Sequence, residues 1–355
     1  MAESLVWTTG TSWSDYQVIS FQRLSKVGVI AFCMCSAAMQ VQAKKQDWIS
    51  DHEGASKVGV QVKIERFTPT TAKQIKATGF SFVRFGVWTN SMQTAEYQKK
   101  VTDAFNAAQA ADLPVLLTVR STIPLARSSN DEAARNAQLR DSAKQLINVV
   151  GSLAGANGSD LLAVELWNEP ELPTFWPTGD VDSTFPVYMQ AVCSGLRAVL
   201  GTTPVIGFGF ATVPASGSHS DKLLQSIQSP SSHCIDAVSY HAYGMSESQI
   251  REASVYVRSR YGLPAVITEW GVSSGRNGGI AGQAADIKLF LLKRNSMRTP
   301  LISIYEWQDT AHGKNARERN FGLVDASDTQ KPALRAALTV FGKQWRRLNA
   351  AAAIF

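Results

Sequence analysis

The amino-acid sequence predicts an α/β fold, a single (β/α)8 TIM barrel that follows a short N-terminal segment. From Lys57 onward, strand-like apolar runs alternate with helix-like segments, the pattern of parallel strands joined by helices. The runs are rich in Val, Ile and Leu without strict polar alternation, which is typical of strands buried on both faces. Their number favours closure into a barrel. The eight runs are Val58–Val62, Phe80–Val87, Pro114–Val119, Leu161–Trp167, Pro204–Phe210, Ile235–Tyr240, Ala265–Glu269 and Ile302–Trp307.

Amphipathic segments between these runs predict the outer helices. Thr68-Pro69 has the capping residue and first-turn proline of a helix start. An open doubly wound sheet remains the alternative, but no G-x-G-x-x-G motif follows the first strand. The predicted helical segments are Thr71–Thr78, Tyr97–Ala111, Asp131–Val150, Phe185–Leu200, Glu247–Tyr261, Gly282–Arg294 and a last one from Lys331 to about Arg347.

The first 43 residues are typical of a secretory signal. Arg23 and Lys26 precede an apolar run that ends at Met39, and Ala43 offers a small-residue cleavage site. We therefore predict a targeting segment at 1–43, a catalytic domain at 44–355, and a secreted or periplasmic protein without stable membrane insertion after cleavage. An uncleaved anchor and a start codon further along the chain are the open alternatives.

Composition narrows the function classes. The charged fraction of 18% lies below the ~25% of an average globular protein, and the net charge of +6 over 355 residues is modest. These values argue against disorder and against a nucleic-acid partner. The scattered histidines and the lack of a C-x-x-C motif indicate no metal site and no cofactor. Cys193 and Cys234 remain after signal removal, either as a disulfide, which an oxidising compartment permits, or as buried thiols.

Functional residues of a barrel cluster where its strands end, because those ends form the open face. Two of the predicted strands end in glutamates, Glu169 after strand four and Glu269 on strand seven. Hydrolysis of a glycosidic bond needs two carboxyl groups, one to protonate the leaving oxygen and one to stabilise or attack the oxocarbenium-like centre. Glu165 and Glu306 are also strand carboxylates, and we interpret them as buried partners of an arginine and not as catalysts.

These motifs resemble the clan A glycoside hydrolases, the retaining barrels with catalytic glutamates on strands four and seven. The resemblance rests on Trp167-Asn168-Glu169-Pro170, on Glu269, and on Asn320-Phe-Gly-Leu-Val-Asp325 before the last helix. It covers roughly residues 57–345 and is greatest for family 5 cellulase-like and family 39-like members. It implies that Glu169 is the acid/base and Glu269 the nucleophile.

The resemblance also implies supporting roles. Arg84 and Tyr243 would hydrogen-bond Glu269 and keep it ionised, which agrees with the effect of a cation and a phenol donor on a carboxylate. We expect the substrate to be bound by Asn168, His241, Trp307, Trp88 and Trp176. The irregular stretch Gln308–Thr329 after strand eight is the predicted substrate-shaping loop.

Two features depart from the family pattern. Many family 5 members have a histidine at the end of strand three, where this chain has Arg120 and Ser121. The accessory β-sandwich that accompanies many family 39 enzymes is absent. Neither departure changes the predicted fold, but both leave the identity of the substrate undetermined.

The sequence thus predicts a retaining hydrolase of β-glycosidic bonds that acts on a polysaccharide or oligosaccharide by double displacement, and we expect it to be a monomer. A transglycosylase using the same site, a carbohydrate-binding barrel without catalysis, and a phosphate-binding metabolic barrel are the alternatives. Sugar identity, linkage, and endo or exo action remain open.

Overall fold

Eight parallel strands close into a barrel in the order β1 to β8, with β8 hydrogen-bonded back to β1. The computed structural model describes residues 48–49, 57–228, 234–276 and 278–352; the predicted targeting segment lies outside them. The (β/α)8 TIM barrel predicted from the sequence is confirmed. The strands are β1 Lys57–Gln61, β2 Val83–Trp88, β3 Val115–Arg120, β4 Leu161–Leu166, β5 Val205–Phe210, β6 Ala237–His241, β7 Ala265–Trp270 and β8 Leu301–Ile304.

A helix follows each strand and packs outside the barrel. The predicted helices are all present, and one that the sequence analysis missed, α5, joins β5 to β6. Short 3-10 turns at Ser91–Gln93 and Arg294–Met297 and a four-residue helix at Ala316–Arg319 lie in the connections. The barrel helices are α1 Pro69–Thr78, α2 Ala95–Gln109, α3 Glu132–Asn157, α4 Val181–Leu200, α5 His219–Ile227, α6 Glu247–Tyr261, α7 Gly279–Lys293 and α8 Pro332–Ala352.

Helix starts follow from local sequence. The Thr68 side chain accepts from the backbone N–H of Thr71, and Pro69 occupies the first turn, where its missing N–H costs nothing. Ser246 and Gln249 form a reciprocal capping box at the start of α6. These caps satisfy backbone donors that have no partner within the helix.

The hydrophobic core has two parts. The larger fills the space between strands and helices, and the smaller lies among the strands. Trp48, which is 3% exposed, packs in the smaller cluster together with Phe82 and Leu116. These side chains fill the amino end of the barrel. The opposite end, where the strands finish, is therefore the end that can hold a functional site.

Two further features concern the chain as a whole. Cys193 on α4 and Cys234 before β6 form a disulfide across a Cα–Cα distance of 5.0 Å, which answers the question that the sequence left open. Within the part of the chain that the structure describes, no helix has the length and apolar character needed to cross a membrane.

Candidate active site

A cleft of about 550 Å³ opens where the strands end. Strands β1, β2, β3 and β7, helix α2 and the loops after β1, β4, β6 and β8 contribute to its walls. This is the face on which barrels carry their functional residues. Among its lining side chains are Trp88, Arg120, Asn168, Glu169, Tyr243 and Glu269.

Glu269 lies on β7 at the floor of the cleft, with its side chain 12% exposed. The guanidinium of Arg84 donates from Nη1 to Oε1 at 2.6 Å, and the hydroxyl of Tyr243 donates to Oε2 at 2.9 Å. Burial alone would raise the pKa of Glu269, but the charges of His241 and Arg84 and the two hydrogen bonds outweigh it and lower the pKa. The carboxylate form is therefore the stable one, and both contacts that the resemblance implies are present.

Arg84 is the centre of a buried network at the end of β2. Burial would lower its pKa, but Glu165 and Glu269 outweigh burial and raise it. Glu165 Oε2 accepts from Arg84 Nε at 2.8 Å and from the Thr118 hydroxyl at 2.6 Å. Arg84 is 1% exposed, so its fixed charge acts with little screening on both carboxylates. Glu165 is thus the buried partner of an arginine that the sequence indicated.

The remaining donors of Arg84 orient two amides. Its Nη1 donates to Gln61 Oε1 at 2.7 Å, and its Nη2 donates to Asn168 Oδ1 at 3.1 Å. The oxygen of Asn168 is thereby occupied, and its NH2 group remains as a donor at the cleft. This is the arrangement that a sugar hydroxyl would require.

Glu169 follows β4 in a strained backbone. Its φ is 52°, and that of Trp167 is 72°, a left-handed region that costs non-glycine residues of order 1 kcal/mol or more. The backbone N–H of Glu169 donates to the carbonyl of Gly209 at 2.9 Å. Its side chain is 15% exposed, with Oε1 2.7 Å from His241 Nδ1. This strained backbone places the carboxyl group in the cleft. Strained residues of this kind are often found at functional sites.

Gly209 on β5 makes this packing possible. Its φ is 55°, and a Cβ placed on it would lie 3.2 Å from Glu165 Oε1, 3.4 Å from the Cα of Asn168 and 3.5 Å from His241 Nε2. A side chain at this position would therefore require a strained left-handed backbone and a tighter than usual contact with Glu165.

His241, which the sequence predicts to bind substrate, does not line the cleft in this structure. Its side chain is 0% exposed and lies between the two glutamates, with Nε2 3.6 Å from Glu269 Oε1. Burial would lower the pKa of His241, but Glu269 and Glu169 outweigh it and raise the pKa. The last residue of β6 faces the barrel interior, so the neighbours of the His241 imidazole are the two carboxyl groups.

The structure also corrects two of the three predicted tryptophan contacts. Trp176 is 2% exposed; its ring lies 4.7 Å from that of Trp167, and its Nε1 donates to Thr184 Oγ1. It belongs to the packing between the loop after β4 and α4. Trp307 is also 2% exposed and lines a separate crevice beside Lys63. Trp88, at the end of β2, does line the cleft.

Several lining residues were not predicted as site residues. Gln61, Tyr97, Phe175 and Tyr305 line the cleft, as does Arg120, which the sequence analysis noted only as a departure. The strand-end position of Gln61 is the signal that could have revealed it. Arg317, Glu318 and Phe321 also line the cleft, so the predicted loop Gln308–Thr329 does form part of its wall.

Glu306 and Lys63 form a pair beside the cleft. Glu306 is 1% exposed, and Lys63 Nζ lies 3.0 Å from its Oε2. Burial is the main influence on this carboxyl group and raises its pKa to about 7. Among the described residues, no group of three or more His, Cys, Asp or Glu side chains is placed to hold a metal ion.

Comparison with known proteins agrees with this geometry. A family model described as Cellulase (glycosyl hydrolase family 5) matches residues 50–308. A search of curated protein sequences finds no match.

Solved structures share the fold. A family 39 glycoside hydrolase from Bacteroides cellulosilyticus is 19% identical, with a TM-score of 0.61 over 82% of this chain and 64% of that one. A monomeric β-xylosidase from Caulobacter crescentus is 16% identical, with a TM-score of 0.60 over 80% of this chain and 67% of that one. A broad-specificity endoglucanase from Clostridium longisporum is 15% identical, with a TM-score of 0.57 over 78% and 86%.

The chain spans less than two thirds of the length of the first of these structures, and at such identities the likeness is one of fold. The family match covers most of the barrel, including both glutamates. Together with the strand-four and strand-seven carboxylates, it shows that this chain belongs to glycosyl hydrolase family 5, the cellulase family, within the clan A barrels.

Proposed function

We propose that this protein is a retaining O-glycosyl hydrolase that cleaves β-glycosidic bonds of a polysaccharide or oligosaccharide through a covalent glycosyl-enzyme. The observation that carries the proposal is the unequal surroundings of two carboxyl groups in one cleft. Glu269 has a buried arginine and a phenol as partners. Glu169 has the imidazole of His241.

Glu269 is suited to be the nucleophile. A nucleophilic carboxylate must be ionised before the substrate arrives, and the partners of Glu269 lower its pKa. In the first step Glu269 attacks the anomeric carbon while the bond to the leaving oxygen breaks. The second displacement restores the anomeric configuration.

Glu169 is suited to be the acid/base. It would protonate the leaving oxygen in the first step and accept a proton from water in the second. His241 acts through Glu169 as a positioning residue, because its Nδ1 holds Oε1 at 2.7 Å. The other ring nitrogen, Nε2, lies 3.6 Å from Glu269 Oε1, so the imidazole lies beside both carboxyl groups.

The cleft supports binding of a chain of sugars. Trp88 offers an aromatic surface, and the NH2 group of Asn168 is a donor beside Glu169. A bound sugar could intercept the glycosyl-enzyme in place of water, so transglycosylation is the second candidate activity at the same site. We also propose that the protein acts outside the cytoplasm, supported by the Cys193–Cys234 disulfide, since disulfides persist in oxidising compartments. That it acts as a monomer is a further part of the proposal, supported by the shared fold of a monomeric β-xylosidase.

The test compares alanine variants of the two glutamates on activated and natural substrates. Glu269→Ala should abolish turnover on every substrate. Glu169→Ala should lose roughly 10²–10⁴-fold on natural β-glycosides, the range of general acid catalysis. It should largely spare glycosylation by 2,4-dinitrophenyl β-glycosides, whose phenolate leaves unaided. Azide should then accelerate turnover of Glu169→Ala and give a β-glycosyl azide, identified by NMR.

The alternatives predict different results. An inverting mechanism would give a different pair of results. Azide would leave Glu169→Ala unchanged, and Glu269→Ala would form an α-glycosyl azide. A parent enzyme that binds oligosaccharides and cleaves none of a panel of β-glucans, mannans and xylans or the activated glycosides would support the binding-barrel alternative.

A further inference from the structure

We propose that Arg120 binds a carboxylate carried by the substrate, so that the natural substrate is a β-linked chain containing an acidic sugar such as a uronic acid. This inference rests on the proposed hydrolase function and narrows its substrate class. The inference rests on the guanidinium of this arginine, which is held in one position in the cleft and forms no ion pair with any described residue.

Arg120 is held between two aromatic rings. It ends β3 beside Trp88, its register partner on β2, and its guanidinium carbon lies 4.6 Å from the Trp88 ring centroid and 5.3 Å from that of Phe175. The Phe175 carbonyl accepts from Trp167 Nε1 at 2.9 Å, and the Arg120 carbonyl accepts from Thr89 N at 2.9 Å. The guanidinium is thus constrained by two aromatic rings, and the backbone of the arginine by a hydrogen bond.

The hydrogen-bonding edge of Arg120 is almost unused. Of its five N–H donors, the one bond in the described part of the chain runs from Nη1 to the Ser121 carbonyl at 3.4 Å. Stacked rings satisfy the faces of a guanidinium but accept no N–H bonds in its plane. The remaining donors line the cleft.

The other cleft cations differ from Arg120 in having carboxylate partners. Arg84 pairs with Glu165 and Glu269, Lys63 with Glu306, and Arg317 with Glu318. Among the described residues, no carboxylate lies within ion-pair distance of Arg120. Burial is the main influence on its pKa and lowers it, against smaller opposing effects of Glu169 and Tyr97; the guanidinium is thus partly removed from water, and the nearby Glu169 forms no ion pair with it.

A carboxylate is the anion whose geometry matches this edge. Its two oxygens accept two parallel N–H bonds from a guanidinium, and such charge-assisted pairs are about twice as strong as neutral hydrogen bonds. A neutral sugar hydroxyl accepts a single bond there. Because Arg120 lies on the same wall as Glu169, the acidic sugar would lie close to the scissile bond.

The experiment uses substrates that differ only in the acidic group. Polysaccharides with β-linked backbones that contain uronic acids (glucuronoxylan, hyaluronan and deacylated gellan) are compared with their carboxyl-reduced forms, in which each COO⁻ becomes CH2OH. A pyruvylated glucan before and after mild-acid removal of its ketals tests the other source of a sugar carboxylate. Release of reducing ends gives kcat/KM, and affinity electrophoresis of Glu269→Gln on each polymer gives binding without turnover.

We expect at least one acidic polymer to be preferred over its reduced form by about 30-fold or more. Arg120→Gln should lower kcat/KM on that polymer roughly 100-fold and leave the reduced polymer within about threefold. Arg120→Lys keeps the positive charge but lacks the two parallel N–H donors of a guanidinium, so it should recover part of the preference. Arg317→Gln is the matched control, because it removes a ring-stacked cleft arginine that has its own carboxylate partner; it should not change the ratio of acidic to reduced substrate.

Equal action of the parent on both forms, or an equal loss on both in Arg120→Gln, would overturn the inference while leaving the hydrolase function standing. Preferential binding of an acidic polymer by Glu269→Gln, abolished by adding Arg120→Gln, with no cleavage by the parent, would support Arg120 and reject hydrolysis. Absence of any preference for acidic polymers in both assays would reject the role of Arg120.

Discussion

Glu269 and Glu306 are buried glutamates near the ends of neighbouring strands, yet their carboxyl groups behave oppositely. Burial opposes ionisation of both. The pKa of Glu269 is lowered, whereas that of Glu306 is raised to about 7. Glu269 lies beside His241 and has a fully buried arginine and a phenol donor, while Glu306 has one lysine whose side chain is 37% exposed.

The difference shows what keeps a carboxylate charged inside a barrel. A cation that is itself desolvated and held in place interacts strongly, because little water screens the pair. A flexible, half-solvated lysine offsets only part of the cost of burial. The chemistry at β7 thus depends on partners contributed by β2 and β6, and each partner can be removed separately.

Removal of Arg84 should have the largest effect. Arg84→Met leaves Glu165 buried without a cation and Glu269 with His241 alone, which should destabilise the fold by about 3–5 kcal/mol and lower kcat by roughly 10³-fold or more. Denaturant unfolding and steady-state kinetics measure the two losses. Arg120→Met, which breaks no ion pair, should cost about 1 kcal/mol or less; equal losses of stability would contradict the contrast.

Glu306 should make stability depend on pH. Because its pKa is about 7 in the folded protein and 4.5 unfolded, its contribution is fully present below pH 4.5 and is lost as the pH rises to about 7. The loss should be about 3 kcal/mol at ~1.36 kcal/mol per pKa unit. Unfolding free energies of the parent minus those of Glu306→Gln, measured from pH 4 to 8, should fall across this window and then level off.

A carboxylate with a lowered pKa provides the control for the direction in which stability changes with pH. The Ser296 hydroxyl, and then Lys293, lower the pKa of Glu247, so its contribution should be present at neutral pH and lost in acid. The same subtraction for Glu247→Gln should therefore rise with pH. A flat difference for Glu306→Gln would show that its burial does not penalise the charged form.

Tyr243→Phe should have the smallest of these effects. It removes one hydrogen bond to Glu269 Oε2 and leaves Arg84 in place, so kcat/KM should fall about 10- to 30-fold, or about 1.4–2 kcal/mol. The pKa of Glu269 should rise without this donor, moving the acidic limb of the pH–kcat/KM profile to higher pH. An unmoved limb with the same loss of rate would show that Tyr243 acts on the substrate and not through Glu269.

The sequence predicts most of the fold because its strands are short, apolar and evenly alternated with helices. The helix α5 escaped notice since it has nine residues and a polar start at His219. Its spacing of Leu223, Leu224 and Ile227 was nevertheless a readable apolar face.

The site was predictable where motif and strand end coincide, as for Glu169, Glu269 and Arg84. It was not predictable where the direction of a side chain decides the role. The pairing register of β6 with β7 shifts between Tyr240 and His241, and that of β7 with β8 shifts between Ile267 and Trp270. A shift of one residue exchanges the two faces of a strand, so sequence alone could not tell whether His241 or Trp307 faces the cleft.

Gly209 has no functional group, yet its environment makes it as constrained as the catalytic residues. Any side chain would combine an unfavourable left-handed backbone with contacts against Glu165, Asn168 and His241. In a saturation library scored for activity, position 209 should tolerate as few replacements as position 269. A map of mutational tolerance would therefore mark position 209 as important although the residue there has no side chain. The map would show that the shape of the site depends on the missing Cβ.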